Sequence, residues 1–288
     1  MTKISILLPL FNDELFIRKA ISSILSNTYQ EYEIIVINDG STDNSIEELN
    51  YFEDNRIKLY NKSNSGLIET LNYGIQKCSS EIIMRMDADD EIERDKISRQ
   101  IQAFKKIQPI VLGTGGTIID NSSILKRNIN VPENHNDILK KINQLKASII
   151  HASIMVNKET LLKIGGYDNK FEIAEDYELF LRLSRYGELR NINYPLYNIR
   201  KNEDNISKTK SKTQTLNTLI ARKAYAQDKT ITSVSNELYF RLKPQIENSL
   251  FFKLLVFTNS KISDHKQENL FNLILKILRK FIIFLINR

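Results

Sequence analysis

Glu81-Ile-Ile-Met-Arg-Met-Asp-Ala-Asp-Asp90 decides the fold: an apolar run that stops abruptly in three carboxylates. The run has the length and composition of a buried strand, and the acidic residues form its exit turn. Three earlier segments, Ile4–Leu8, Glu33–Ile37 and Arg56–Tyr60, read the same way. Between the first two, Phe16, Ala20, Ile21, Ile24 and Leu25 recur at helical spacing and predict a helix from about Asp13 to Ser26. Helical patterns also cover Asn44–Phe52, Leu67–Lys77 and Lys96–Lys106, and Ile110–Leu112 begins another strand. This alternation predicts an α/β fold with a doubly wound, mostly parallel sheet and flanking helices. Such sheets bind ligands beyond the carboxyl ends of their strands. Topology alone therefore directs attention to Asn12–Asp13, Asp39–Gly40 and Asp87–Asp90.

Carboxylates two apart on an irregular turn can converge on one hard cation. Mg²⁺ and Mn²⁺ suit such a site, since they accept one or two carboxylates and complete their shell with phosphate and water. A calcium loop counted from Asp87 fails, with Ile92 at its sixth position and Ser98 at its twelfth. Asp39 closes the second strand in Asp39-Gly40-Ser41-Thr42-Asp43, where it can accept hydrogen bonds from a nucleobase or ribose. Thr42 or Asp43 caps the helix that follows. Glu175-Asp176 opens an apolar-periodic helix predicted to run to about Tyr186. Acids in a first helical turn are stabilised by the macrodipole, and the functional alternative is a general base at a rigid helix start.

The chain has 288 residues, a net charge of +6 and a hydrophobic share of 41%, which suits a globular protein rather than a disordered one. A lone cysteine, Cys78, excludes an internal disulfide and a Cys-rich zinc site, and fits a reducing cytoplasm. The apolar start, Met1–Asn12, is broken by Pro9 and reads as a first strand rather than a signal peptide. From Lys201 to Arg288, 16 Lys and Arg face 7 Asp and Glu, so the basic character belongs to the tail. Leu270, Ile274, Ile277, Phe281 and Phe284 form one helical stripe there, opposite Lys276, Arg279 and Lys280. The cations argue against a membrane span. The stripe suits an anionic membrane surface, the catalytic domain, or a second copy of the chain in a homo-oligomer. Nucleic acid is disfavoured because no exposed aromatics interleave with the basic residues.

Taken together, the segments resemble glycosyltransferase family 2, in its branch that builds bacterial surface polysaccharides such as O-antigen and capsule. The resemblance covers roughly residues 3–207. It rests on Ser5-Ile-Leu-Leu-Pro-Leu-Phe-Asn12, Val36-Ile-Asn-Asp-Gly-Ser-Thr-Asp43, Asn64-Ser-Gly66 with Leu71-Asn72-Tyr-Gly74, and Arg85-Met-Asp-Ala-Asp-Asp90. Gly165-Gly166-Tyr167-Asp168, Glu175-Asp176-Tyr-Glu-Leu-Phe-Leu-Arg182, then Pro195-Leu-Tyr197, Arg200 and Ser207 continue it in order.

The resemblance implies a GT-A fold and an inverting, metal-dependent transferase that uses Mn²⁺ or Mg²⁺ and a nucleotide-diphosphate sugar, UDP favoured. It implies that Pro9, Phe11 and Asn12 line the nucleotide pocket and that Asp39 binds uracil. Asn64 and Gly66 fall on the phosphate side, with Ala88 beside the donor. Asp87 meets ribose or metal, Asp89 ligates the metal, and Asp176 is the base. Glu175, Gly166 and Tyr167 belong to the acceptor side. The implied acceptor is a saccharide on a polyprenyl diphosphate, which would hold a cytoplasmic enzyme at the inner face of the cell membrane. The catalytic domain is expected over 1–207, its nucleotide half ending near 115, with a basic helical extension over 208–288. The sequence departs from the family pattern at Asn202, where His is common, at Ala152, and at Arg94 and Lys96. A sugar-phosphate nucleotidyltransferase would carry a Gly-rich basic loop after the first strand, where Pro9-Leu-Phe-Asn-Asp13 stands instead. A non-catalytic nucleotide-sugar-binding protein would be expected to lack Asp89 or Asp176.

Overall fold

The protein is described from a computed structural model, over residues 3–201, 211–227, 233–249 and 252–253. The amphipathic stripe at 270–285, Asn202, Ser207 and the Lys-rich stretch from 208 to 210 lie outside the described residues.

The first part of the chain alternates β1 (Ile4–Leu10), α1 (Ile17–Leu25), β2 (Tyr32–Asn38), α2 (Ser45–Asn50), β3 (Ile57–Asn61), α3 (Leu67–Lys77) and β4 (Ile82–Arg85). These four strands pair in parallel, in the order β3-β2-β1-β4. Every residue of β1 and β2 is buried, because helices cover both faces of a parallel sheet. Alternate side chains go to opposite faces: Leu7, Ile35 and Ile37 pack toward α3, and Ile6, Leu8, Ile34 and Val36 toward α1. Each such buried aliphatic side chain contributes about 1.5–3 kcal/mol.

Beyond β4 come β5 (Glu91–Ile92), α4 (Lys96–Ile107), β6 (Val111–Ile119), β7 (Leu125–Ile129), α5 (His135–Asn143), β8 (Met155–Asn157), α6 (Lys158–Lys163), α7 (Glu175–Leu183) and β9 (Leu189–Arg200). Here the sheet becomes mixed. β8 is antiparallel to β4 and β6, β9 runs parallel to β6, and the two-residue β5 is antiparallel to β9. β7 forms an antiparallel hairpin with β6. The expected parallel sheet thus describes the first half, and the second half adds the strands that close over the site. α8 (Ser211–Gln227) and α9 (Asn236–Glu247) follow. Leu219, Ile220, Ala224, Leu242 and Ile246 from them join the same core cluster as Leu179 and Leu183 of α7.

The strand order reverses between β2 and β4 around β1, which places a ligand crevice beyond the carboxyl ends of β1 and β4.

Candidate active site

The turn after β4 brings the carboxylates of Asp87, Asp89 and Asp90 together, each offering one oxygen within 4.8 Å of the others. Its shape is imposed from three directions. Buried Arg85 grips Asp87 with both terminal nitrogens, Nη1 donating to Oδ2 at 2.7 Å. The Asp87 N–H donates to the Tyr197 hydroxyl at 3.1 Å. Arg200 donates its backbone N–H to Asp90 Oδ1 at 2.7 Å and its Nε to the Asp89 carbonyl at 2.8 Å. Its guanidinium continues to the Asp120 carbonyl and Glu91, and lies over the Phe16 ring. The tight turn is therefore built around two buried arginines rather than left as a solvated acidic loop.

Negative charge nevertheless exceeds what those arginines offset. Burial, with Asp87 second, pushes Asp89 up to about 6. Burial and the neighbouring Asp89 and Asp87 push Asp90 well above its ordinary value. Asp13, after β1, is pushed up to about 7 by burial and then by Asp89, with Asp87 adding to the effect. A group of oxygen donors that resists ionisation for want of a counter-charge fits a hard divalent cation.

The residues expected on the nucleotide side sit at the ends of β1, β2 and β3. Pro9 pairs with Ile37 inside the sheet, while Phe11 is exposed. Asn12 adopts a left-handed conformation (φ 56°) and accepts the Thr42 N–H at 2.8 Å, while its own N–H donates to Ser41 Oγ at 3.1 Å. The loops after β1 and β2 are thereby latched together. Buried Asp39 accepts the N–H groups of Ser65 and Gly66, both at 2.9 Å, and is ion-paired with Lys62. Its carboxylate thus organises the loop that carries Asn64 and opens α3 at Gly66. Gly40 is required there: its φ is 72°, and a Cβ would stand 2.9 Å from the Asn64 nitrogen. Ala88 is buried between Asp87 and Asp89.

On the other side, Asn72 of α3 stitches the turn after α6. Its Oδ1 accepts the Tyr167 N–H at 2.8 Å, and its Nδ2 donates to the Tyr167 carbonyl at 2.9 Å. Gly166 (φ 69°) meets Asn72 so closely that any Cβ would collide with Oδ1. The Tyr167 hydroxyl and His151 Nε2 share a hydrogen bond of 2.7 Å. Burial, and then Arg85, push His151 well below its ordinary value, so the imidazole is neutral. Glu175 and Asp176 occupy the first turn of α7, whose N-cap, Ala174, offers no side-chain acceptor. Asp176 Oδ1 accepts the Tyr177 N–H at 2.6 Å instead.

Burial and the adjacent Asp176 push Glu175 up to about 7, Arg85 opposes this, and Asp87 adds to it. Asp176 is raised by burial and lowered in turn by Arg85. Tyr167 responds to Arg85, Glu175, Asp176 and Asp87. Arg85 is therefore paired with the acidic turn and lies within electrostatic reach of the start of α7. Asp39, Asn64 and Gly66 form a separate cluster on the β2 side. Four residues gained no role from the sequence. Asp13 stands in a loop that topology had singled out, and Arg85, Tyr197 and Arg200 fall inside motifs, where only their packing reveals what they hold.

A parallel half of four strands, an acidic turn at the switch point and a mixed second half with flanking helices make up a GT-A fold. The model of the family described as "Glycosyl transferase family 2" matches residues 5–165, and the chain belongs to that family. Its relatives include the O-antigen biosynthesis glycosyltransferase WbnJ of Escherichia coli, 32% identical over 62% of this chain and 71% of that protein. The chondroitin synthase of Pasteurella multocida is 29% identical over 71% of this chain, a match that spans only 21% of that longer protein. Among solved structures, S. aureus TarS in complex with UDP-GlcNAc aligns with a TM-score of 0.61 at 17% identity, covering 76% of this chain and 66% of that one.

Proposed function

We propose that the protein transfers a hexose or N-acetylhexosamine from a UDP-sugar to a hydroxyl of a saccharide acceptor, with inversion, during synthesis of a bacterial surface polysaccharide. The observation that carries this reading is the cluster of Asp87, Asp89 and Asp90 at the carboxyl end of β4, beside the sheet's switch point, with Arg85 paired to Asp87 and within electrostatic reach of Asp176. A donor bound at that turn and an acceptor at the start of α7 would meet between them.

In this reading Pro9, Phe11, Asn12 and Asp39 receive the nucleoside, and Asn64 and Gly66 lie toward the phosphates. Ala88 lines the donor site, and Asp89 and Asp87 would hold Mn²⁺ or Mg²⁺. When bound, the metal supplies positive charge for the leaving diphosphate. Asp176 takes the proton from the acceptor hydroxyl as its oxygen bonds to the anomeric carbon. The bond from that carbon to the diphosphate oxygen breaks on the opposite face, and UDP leaves with the electron pair. Glu175, Gly166 and Tyr167 shape the acceptor side. The O-antigen role named for the E. coli relative and the UDP-GlcNAc held by TarS support this substrate class. A lipid-diphosphate carrier for the acceptor would place the work at a membrane face. Among the described residues no helix is long and apolar enough to cross a membrane. The catalytic unit in this reading is residues 1–207, followed by the basic helical segment.

A donor screen tests the reading: UDP-, GDP- and dTDP-sugars are offered with Mn²⁺, and slow donor hydrolysis and thermal shift are measured. UDP-sugars are expected to be hydrolysed and to stabilise the protein. A protein that neither binds nor cleaves any of them is not a transferase of this kind.

A further inference from the structure

The three carboxylates of the metal turn are not equivalent. Asp90 is 3% exposed, and one of its oxygens is engaged inside the protein. Its Oδ1 accepts the Arg200 N–H at 2.7 Å, and the Tyr197 hydroxyl lies close to the same carboxylate. Tyr197 is itself fully buried, and its oxygen also accepts the Asp87 N–H at 3.1 Å. One phenol therefore holds the first aspartate of the turn and stands beside the last. Arg200 adds the tie between them, through Nε to the Asp89 carbonyl at 2.8 Å. By contrast, Asp89 is only partly buried.

The placement of Tyr197 and Arg200 is set by the sheet. β5 follows the turn immediately and pairs with β9, Glu91 opposite Asn198 and Ile92 opposite Tyr197. β9 is held in turn by its long parallel pairing with β6, through Ile119 opposite Arg200. Lys96 lies beneath, 5.8 Å from the Tyr197 ring centroid. The hydroxyl is thus delivered to the turn by a rigid element rather than by a loop. Oδ1 of Asp90 is already taken by an inward-facing donor, the Arg200 N–H.

We propose that Tyr197 and Arg200 are positioning residues for the cation site, and that Asp90 is the strap they hold and not a metal ligand. Asp89 is then the carboxylate left to bind the cation, with Asp87 shared between it and Arg85. This inference rests on the metal-dependent reading given above. Partners that orient metal ligands without touching the metal typically govern affinity about 10–100-fold.

The test is Mn²⁺ titration in the presence of saturating UDP, with free Mn²⁺ followed by electron paramagnetic resonance, and no turnover involved. Tyr197→Phe is expected to weaken Mn²⁺ binding about tenfold. Asp90→Asn keeps an oxygen for the Arg200 N–H and is expected to stay within about threefold, while Asp89→Asn loses about 100-fold or more. Ile75→Val, a mild core change in α3, controls for lost stability and is expected to titrate like the unaltered protein. If Tyr197→Phe does not fold, Arg200→Lys takes its place with the same expectation. Asp90→Asn losing as much as Asp89→Asn would make Asp90 a ligand and overturn the proposal. So would full affinity in Tyr197→Phe, or in Arg200→Lys where it stands in. An unaltered protein that takes up no Mn²⁺ with UDP would remove the metal-dependent reading itself, and this inference with it.

Discussion

Arg85 binds Asp87 through both terminal nitrogens of its guanidinium, and the same charge lowers the proton affinity of Asp176. One buried cation thus acts on both the turn after β4 and the first turn of α7. Arg85 is also within electrostatic reach of His151 and Tyr167. That relationship orders the predictions below.

Asp176→Asn is expected to lower kcat by at least about 10²-fold while donor affinity is kept, since a positioned base is worth about 10²–10⁴-fold. Steady-state kinetics combined with UDP binding measures both. Near-normal turnover would take the base role away from Asp176.

The pH dependence follows from the same pair. Asp176 is raised by burial, and burial with Asp176 pushes Glu175 up to about 7. A base must be unprotonated to work, so kcat should rise with pH through the weakly acidic range and level off above about 7. The apparent value belongs to the two acids together. Glu175→Gln removes a like charge and is expected to move the acidic limb to lower pH. Arg85→Lys loses the two-point grip and is expected to move it to higher pH. Limbs that stay in place in both variants would separate the pH profile from this pair.

Chelation should stop transfer, and added Mn²⁺ or Mg²⁺ should restore it, with Asp89→Asn unresponsive to either. Activity surviving exhaustive EDTA would mean that the turn works without a cation. The raised values of Asp89, Asp90 and Asp13 would then need another source of positive charge, the arginine pair being insufficient.

The parallel half of the sheet was legible because its strands are continuous apolar runs and its helices are strictly periodic. The switch point, and with it Asp87 and Asp39, followed from that alternation. β9 was not legible. Pro195 and Asn191 interrupt its pattern, and Pro usually argues against a paired interior strand. Here Pro195 falls opposite Gly115, where the register between β6 and β9 shifts, so its missing N–H is accommodated. β6 was foreseen only at its start, since Gly113, Gly115 and Gly116 read as breakers. They are instead small residues that let β9 approach: a Cβ on Gly115 would stand 2.9 Å from the Tyr194 carbonyl oxygen. The roles of Tyr197 and Arg200 depend on that long-range pairing and leave no mark in local sequence.

Lys96 gives the last prediction, on stability. Its ammonium is wholly buried beneath the metal turn, with Gln100, the Ser153 carbonyl at 3.2 Å and the Met84 sulfur at 3.5 Å as its neighbours. Burial lowers it from 10.5 to about 7. Between those values the unfolded chain keeps the proton while the folded chain sheds it, so unfolding takes up a proton. Stability must therefore rise with pH across this window, by at most about 1.4 kcal/mol per pH unit from this group. Below about 7 both states are protonated and the contribution is flat. Lys96→Met keeps most of the volume and removes the titration. The stability difference between the variant and the unaltered protein, measured by urea unfolding at pH 7, 8, 9 and 10, is expected to shrink steadily in favour of the unaltered protein as pH rises. A difference independent of pH would mean that Lys96 stays charged in the fold, held by Gln100 and the Ser153 carbonyl as a permanent buried cation.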